Sequence, residues 1–339
     1  MAMDRVLVVG GGITGIQTSL DLAQLGFEVT LLEREKELGG KLTQLSTLFP
    51  KGDSSRELLA SKRRKLEAHH SIKIKTATAI EKVTSMPSGY QIVLRGEGKP
   101  LEVGAVVVAT GFDPFDPTIL EEYGYGRHKD VITAFELEAM LKEEKVLRPS
   151  SGLLPRQITF LQCIGSRDRN TNRYCSYFCC TYAVKEALSV KKLNPHAEVC
   201  IMYMDIRTPY LYEHLYTEAR EKGITFIKSR VSGISEHGGT LALDIENTIT
   251  GETESFSSEL VVLSIGGVPA AHTKELAAHF KLPLSDQGFF ERGDEPVGTT
   301  SPGVFIAGAA SGLKDIPHCL AEASASALSV SIFFRQRKT

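Results

Sequence analysis

The apolar positions of the chain follow two periods. Arg5–Val9 is a run of strand-forming residues that ends in Gly10-Gly11-Gly12, and apolar residues then recur at helical spacing through Ile13–Leu25. Gly26 interrupts that helix, and Glu28–Leu32 reads as a second strand ending at Glu33. Strand, helix and strand in that order open a doubly wound parallel sheet. Further strands are expected near Val103–Ala109, Gln157–Ile164, Glu198–Met204, Ile224–Lys228, Leu260–Ile265 and Gly303–Ala307. They alternate with helical stretches, which predicts an α/β fold rather than an all-β one. The strand-helix start at Gln157 resembles the one at Arg5, and no other repeat or low-complexity tract is visible.

This pattern divides the chain. Residues 1–115 form the first part of a dinucleotide-binding domain. Residues 116–154, with prolines, acidic runs and a helical piece at Thr133–Lys145, read as a connecting segment. Residues 155–265 form an inserted Rossmann-like domain, and residues 266–339 return to the first domain.

Composition narrows the class without choosing a function. The 339 residues are 42% hydrophobic and 24% charged, ordinary for a globular protein with a sizeable core. A formal net charge of −2 supplies no overall attraction to nucleic acid or acidic lipid. Consecutive apolar runs such as Val106-Val107-Val108-Ala109 are too short for a membrane span. Met1-Ala2-Met3-Asp4-Arg5 leads straight into a strand, with no room for a signal peptide, so a cytoplasmic location is expected.

The first turn carries a specific chemistry. In Gly10-x-Gly12-x-x-Gly15, Gly10 permits the tight turn, Gly12 lets backbone approach a pyrophosphate, and Gly15 lets the helix sit close to the strand. Ile13 and Thr14 open the helix, whose N-terminal amides favour an anion. Glu33 stands eighteen residues after Gly15, placed for ribose hydroxyls, with Arg34 beside it. Leu38-Gly39-Gly40-Lys41 follows, then Val106–Ala109 closing in Thr110-Gly111, and near the end Thr300–Ala309 with Gly308. Together these segments resemble the FAD domain of two-dinucleotide-binding-domain flavoproteins, the thioredoxin reductase and glutathione reductase clan. Ala309 stands where that clan has an Asp, which puts its ribityl contact in doubt. By the same resemblance, Asp315, Ile316 and Pro317 start a helix whose N-terminus faces the flavin pyrimidine. Lys314 and His318 are candidates for tuning the flavin, against the simpler reading of a solvated loop.

Four of the six cysteines, Cys163, Cys175, Cys179 and Cys180, crowd into one stretch, while Cys200 lies inside a strand and Cys319 near the last helix. In a chain with this composition such clustering reads as a metal or redox site rather than a disulfide scaffold. The second strand-helix start reads Cys163-Ile164-Gly165-Ser166-Arg167-Asp168, and only one glycine of a nucleotide turn survives. NAD(P)H binding there is not expected. Cys175 and Cys179 are four apart, and Cys180 converges with them only at a helix start or loop. Spacing alone leaves three readings: a [4Fe–4S] cluster, an all-cysteine zinc site, or unliganded core or redox thiols.

Gln162-Cys163-Ile164-Gly165-Ser166-Arg167-Asp168, Tyr174-Cys175-Ser176 and Cys179-Cys180-x-Tyr182-Ala183 are similar to the signature of the A-type subunit of heterodisulfide reductase. Val262–Gly266, Gly288-Phe289-Phe290 and Lys314–Pro317 extend that similarity along nearly the whole chain. The resemblance implies FAD and a [4Fe–4S] cluster on Cys163, Cys175, Cys179 and Cys180. It also implies a homodimeric electron-transfer subunit working with B- and C-type partner subunits, and no nucleic acid. Ferredoxin-type insertions and an extra N-terminal domain of the methanogen proteins have no counterpart, so the chain is closer to the short forms in complexes of sulfur-oxidising bacteria. The rival readings are an NAD(P)H-dependent flavoprotein disulfide reductase, disfavoured by the missing second glycine turn, and a zinc-stabilised flavin scaffold.

Other features read as structural. Lys62-Arg63-Arg64-Lys65 with His69-His70 is expected to be a solvated helix face, and Arg207–Tyr210 with Tyr212 and His214 a packed loop.

Overall fold

Val6–Val9, Val29–Leu32 and Ala105–Val108 are buried along their whole length, as strands covered on both faces must be. In the computed structural model, which describes residues 4–248 and 251–337, they lie in a five-stranded parallel sheet. Its order is Val304–Ile306, Ala105–Val108, Arg5–Val9, Glu28–Leu32, Ile72–Lys75. Arg5 pairs with Glu28 and Val9 with Leu32, so the two strands end together at the glycine turn. A three-stranded antiparallel meander, Ile80–Met86, Gly89–Leu94 and Leu101–Val103, turns Ile80, Tyr90, Ile92 and Leu94 into the same core as Phe280 and Phe290. The sequence pattern did not reveal it: Ile80–Met86 is largely exposed and offers no continuous apolar run.

The chain forms two compact units: Met1–Thr43, Ser55–Asp113 and Val268–Thr339 in one, Gln44–Ser54 and Pro114–Gly267 in the other. The second unit is built on a seven-stranded sheet. Val131–Thr133, Leu260–Ile265, Gln157–Ile164, Glu198–Tyr203 and Thr225–His237 run parallel. Thr240–Asn247 and Thr253–Ser258 then add antiparallel to the edge. Residues 116–154, expected to connect domains, lie inside this unit and supply its first edge strand and the helix Ala134–Lys142. A capping box starts that helix: Thr133 accepts from the Glu136 amide while the Glu136 carboxylate accepts from the Thr133 amide. Its buried Leu137 and Leu141 reach a core containing Phe160, Val184, Ala187 and Ile201.

The last helix, Ile316–Gln336, has the length and hydropathy of a membrane span, which the short consecutive apolar runs did not anticipate. Alanines and serines interrupt its apolar residues. They also let it pack closely on Ile13–Gln24 within the first unit, with Thr18 and Ser326 hydroxyls 3.3 Å apart and Phe27 and Phe334 rings at 5.2 Å. One third of its apolar stretch is buried in this way, while Leu328 and Ile332 are exposed.

Candidate functional sites on two strand-helix turns

Each parallel sheet ends a central strand in a turn that carries chemistry. In the first unit, Gly10 has φ +110°, and a Cβ there would lie 2.4 Å from the Ala109 carbonyl oxygen. A Cβ at Gly15 would fall 1.8 Å from the Gly10 carbonyl oxygen, so helix and strand touch backbone to backbone. Gly12 differs from both. It has ordinary φ −74°, and nothing lies within 4 Å of where its Cβ would stand. The first and third glycines serve the fold, and the second leaves open space above the helix N-terminus.

The surrounding residues complete a cradle. The Glu33 carboxylate accepts from the amides of Gly11 at 2.6 Å and Glu35 at 2.9 Å, which fixes it at the strand end with lone pairs to spare. Gly39 bridges Gly12 in parallel and donates to the Gly11 carbonyl at 2.8 Å; Gly39 and Gly40 both have positive φ. Arg63 donates to the Leu38 carbonyl and Lys62 to Gln17, so two members of the basic run hold this loop and helix instead of lying solvated. Lys41 pairs with Asp113 at 3.5 Å, and Arg34 contacts the His272 ring at 2.9 Å. Thr110, between Ala109 and Gly111, has a buried hydroxyl without a hydrogen-bond partner. An orphaned hydroxyl beside an open glycine cradle fits a dinucleotide.

Beside the same turn, Gly308 sits against Thr14: a Cβ would be 2.3 Å from the threonine hydroxyl. Ala309 follows in a short 3-10 turn and is buried. Asp315 caps the last helix by accepting from the His318 amide at 2.9 Å, with Ile316 and Pro317 opening it. His318 Nδ1 lies 2.5 Å from the same carboxylate. Lys314 is no solvated loop lysine. Its ammonium donates to the Gly308 carbonyl and to both oxygens of Glu322, which also accepts from the Gly308 amide and pairs with Arg292 at 2.6 Å. Burial lowers the Lys314 pKa against the raising pull of Glu322. Glu322 and Arg292 escaped notice in the sequence, because only folding brings them to Lys314.

The second unit turns differently. Gln157–Ile164 runs into Cys163 at φ +65°, Gly165 at +70° and Arg167 at +58°. Two non-glycine residues in the left-handed region within five positions is strain of the sort held at functional turns. A Cβ at Gly165 would meet the Phe115 ring at 2.2 Å, so an aromatic fills the space that is open above Gly12 in the first turn. The helix Cys179–Leu193 begins at Cys179, and no side-chain hydrogen bond caps it at Phe178. Cys175 therefore belongs to the loop before the helix, and Cys179 and Cys180 to its first turn.

The four thiols lie within electrostatic reach of one another. Burial pushes Cys163 up to about 11, with the charge of Cys180 adding to it and Arg167 opposing. A hydrogen bond from Cys179 leads the lowering of Cys180 to about 7, helped by the Arg207 amide and by Arg207 and Arg167 charge. Cys179 is raised well above its usual value by giving that hydrogen bond, by burial, and by the charges of Cys180, Cys163 and Cys175. Asp205 holds Arg167 and Arg207, each at 2.9 Å. Ser166, fully buried beside Cys163, has a hydroxyl with no partner. Among the described residues, no group of three or more His, Cys, Asp or Glu is arranged to hold a metal ion. Four cysteines are a soft-metal donor set by their chemistry, and Arg167 and Arg207 would offset thiolate charge, but the thiols are not gathered into a metal site in this arrangement. Cys200 stays apart, buried within its strand and pushed up to about 12 by burial.

Residues 4–148 match the family of pyridine nucleotide-disulphide oxidoreductases, a match that includes the first turn and ends before the second. The fold is that of two-dinucleotide-binding-domain flavoproteins. Thioredoxin reductase from Lactococcus lactis superposes with TM-score 0.68 at 18% identity, covering 98% of this chain and 99% of that one. The T. acidophilum enzyme gives 0.66 at 17%, with 96% of each chain covered. Among curated proteins, an iron-sulfur A-type subunit of the CoB–CoM heterodisulfide reductase of Methanopyrus kandleri is 34% identical over 96% of this chain. The A-type subunit of the H2:CoB-CoM heterodisulfide,ferredoxin reductase of Methanothermobacter thermautotrophicus is 32% identical over 97%. The chain spans only 63% and 64% of the length of these two relatives, and the alignments run over 415 and 419 positions against its 339 residues, so the relatives carry internal segments it lacks. Similarity along nearly the whole chain therefore points one way: the relatives that this chain resembles are A-type subunits of heterodisulfide reductases.

Proposed function

We propose that the chain is the electron-transfer flavoprotein subunit of a heterodisulfide-reductase-like complex, with FAD in the first unit and a [4Fe–4S] cluster on Cys163, Cys175, Cys179 and Cys180. The observation that carries this reading is the exchange made at the second turn, where four neighbouring cysteines and two arginines stand in place of an open glycine cradle. When bound, the flavin supplies two-electron chemistry and the cluster passes electrons singly.

The chain's own residues would bind and tune these groups. Gly10, Gly12, Ile13, Thr14 and Gly15 present backbone to the pyrophosphate, and Glu33 accepts ribose hydroxyls, with Arg34, Gly39, Gly40 and Lys41 closing over them. Ala109, Thr110, Gly111, Gly308, Ala309, Asp315 and Ile316 line the remaining path. The N-terminus of the last helix favours negative charge near it, and Lys314, held by Glu322, adds a fixed positive charge. Arg167 and Arg207 offset the thiolate charge, and burial of Cys179 and Cys180 excludes water. B- and C-type subunits, a homodimer, a cytoplasmic location and the sulfur-oxidising setting of the short forms belong to this same reading. Phe115 packed over Gly165 argues against a nicotinamide nucleotide at the second turn.

The test is low-temperature EPR of anaerobically purified, dithionite-reduced protein, with spins, iron and acid-labile sulfide counted against FAD. A fast-relaxing signal near one spin per chain is expected. Flavin-containing protein with zinc or no metal, and no signal, would refute the cluster. Rapid bleaching of the flavin by stoichiometric NADPH would restore the self-sufficient reductase.

A further inference from the structure

We infer that the loop between Gly165 and Tyr174, together with the tip of the Asp205–Tyr212 loop, is the docking surface for an acidic face of an electron-carrier protein. The inference rests on the electron-transfer reading above and names where the carrier sits. No covalent change is involved.

The first argument is charge. A groove of about 400 Å³ is lined by Arg167, Asp168, Arg169 and Arg173. Arg167 is tied to Asp205, and Asp168 lies 4.0 Å from Arg230. Arg169 and Arg173 are exposed and make no ion pair or hydrogen bond among the described residues. With Arg207 on Asp205, five arginines meet two carboxylates here, on a chain whose net charge is −2. Two guanidiniums, those of Arg169 and Arg173, are thus left without a carboxylate on this loop.

The second argument is order. The Arg167 amide donates to the Tyr174 carbonyl at 2.9 Å and the Asp168 amide to the Asn172 carbonyl at 3.0 Å, so the excursion closes like a small hairpin. Asn172 ties back to the Gly165 carbonyl at 2.8 Å, and the Tyr174 hydroxyl to the Gly267 carbonyl at 3.0 Å. The free guanidiniums are therefore carried on a fixed loop, which lowers the ordering cost of binding.

The third argument is the apolar tip. Tyr210 and Leu211 are 81% and 78% exposed, the two most exposed large hydrophobic side chains in the chain's described residues. Tyr210 is also held at φ +56°. The sequence pattern suggested a packed loop; Thr208 and Tyr212 are indeed buried, but the two residues between Pro209 and Tyr212 point to solvent. Exposed Tyr and Leu beside unpaired Arg is the composition of an interface centre with a charged surround.

The fourth argument is position. Both loops touch the thiols. The Cys180 thiol donates to the Asp205 carbonyl oxygen at 3.7 Å, and the Asp205 carboxylate holds both Arg167 and Arg207 at 2.9 Å, close enough for both guanidinium charges to act on Cys180. A carrier seated here meets the short side of the path to the cysteines. Long-range attraction would steer it, and the apolar tip would hold it.

The experiment measures binding of a strongly acidic plant-type ferredoxin, as a surrogate carrier, to the immobilised full chain at low salt, with basic cytochrome c as the opposite probe. Ferredoxin is expected to bind and cytochrome c not. Arg169→Glu with Arg173→Glu is expected to slow association about 10- to 100-fold and to flatten its dependence on salt. Tyr210→Ala with Leu211→Ala is expected to leave association near normal and speed dissociation about tenfold. Lys82→Glu with Lys274→Glu, which changes net charge equally on the other unit, is expected to shift association no more than about threefold. The surface is refuted if both loop variants bind as wild type, or if cytochrome c binds as well as ferredoxin. It is also refuted if inorganic pyrophosphate binds the arginine groove while ferredoxin does not bind. Because binding needs no metal centre, it is read separately from the EPR result. Ferredoxin binding that collapses in the arginine variant, on protein without a cluster, keeps the surface and removes the electron-transfer reading.

Discussion

The Gly10–Gly15 turn and the Cys163–Asp168 turn occupy the same place in two sheets, each between a central parallel strand and the helix side of the next crossover. In the first, Gly10 and Gly15 bring backbone against backbone, and Gly12 leaves a gap above the helix N-terminus. In the second, the gap is filled by Phe115, and thiols within electrostatic reach of one another, not open amides, stand near the strand end. A strand-helix turn is thus a general receiver of negative charge. What it receives depends on whether Cβ atoms are present to close it and which side chains they carry.

The sharpest way to break the comparison is Cys163→Gly. It returns a glycine to a backbone at φ +65° and removes one sulfur. Relief of left-handed strain and the greater entropy of glycine each amount to about 1 kcal/mol and oppose one another, so the apoprotein should keep its stability within that margin. Iron and sulfide content should fall almost to zero, read by metal analysis and visible absorbance. Retention of a full cluster would show that Cys163 is not a ligand.

Gly12→Ala makes the converse test. A methyl there meets no protein atom and φ is ordinary, so folding of the apoprotein should be unaffected. FAD content of the purified protein should drop about tenfold or more, because the methyl enters the space of the pyrophosphate. A variant that keeps its flavin would show that the open space is not the cradle. Gly15→Ala, by contrast, places a methyl 1.8 Å from a carbonyl and should compromise the fold itself.

A smaller effect should appear behind the second turn. Glu186 is fully buried, its Oε2 has no partner, and burial first, then the charge of Glu138, raises its pKa well above the usual value. Lys185 is already paired with Glu138. A carboxyl whose folded-state pKa is raised binds its proton more tightly folded than unfolded. Stability is therefore fully present below the unfolded-state value and declines as pH rises above it, by at most about 1.4 kcal/mol per pH unit. Glu186→Gln removes that slope. Its midpoint of unfolding should match wild type near pH 4 and exceed it near pH 7, and an identical pH profile would show that Glu186 is not held protonated. The smallest effect concerns the first unit: Asp315→Ala loses the cap of the last helix and should cost about 1 kcal/mol in urea unfolding.

Both turns were legible as motifs because their residue types are unusual and adjacent in the chain. Arg5–Val9, Glu28–Leu32, Gln157–Ile164 and Leu260–Ile265 emerge with the expected bounds, since buried parallel strands are continuous apolar runs bounded by glycine or polar residues. The antiparallel additions, Ile80–Leu94 and Thr240–Ser258, were not read, because half-exposed strands mix polar residues into every second position. Arg63 under Leu38, and Glu322 with Arg292 at Lys314, were not read for another reason. Arg63 and Arg292 have partners far away in sequence, Glu322 reaches Lys314 only across the start of the last helix, and nothing local distinguishes them from solvated charges.

By itself, then, the sequence determined the fold class, the glycine cradle and the grouping of four cysteines, since each rests on covalent neighbours and local periodicity. Tertiary structure decided the rest. It packed Phe115 over Gly165, divided the cysteines between a loop and a helix start, buried Glu186 beside an occupied ion pair, and left Arg169, Arg173, Tyr210 and Leu211 facing solvent. Burial and charge pairing are properties of neighbours in space, and strand crossovers choose those neighbours across separations that no local pattern records.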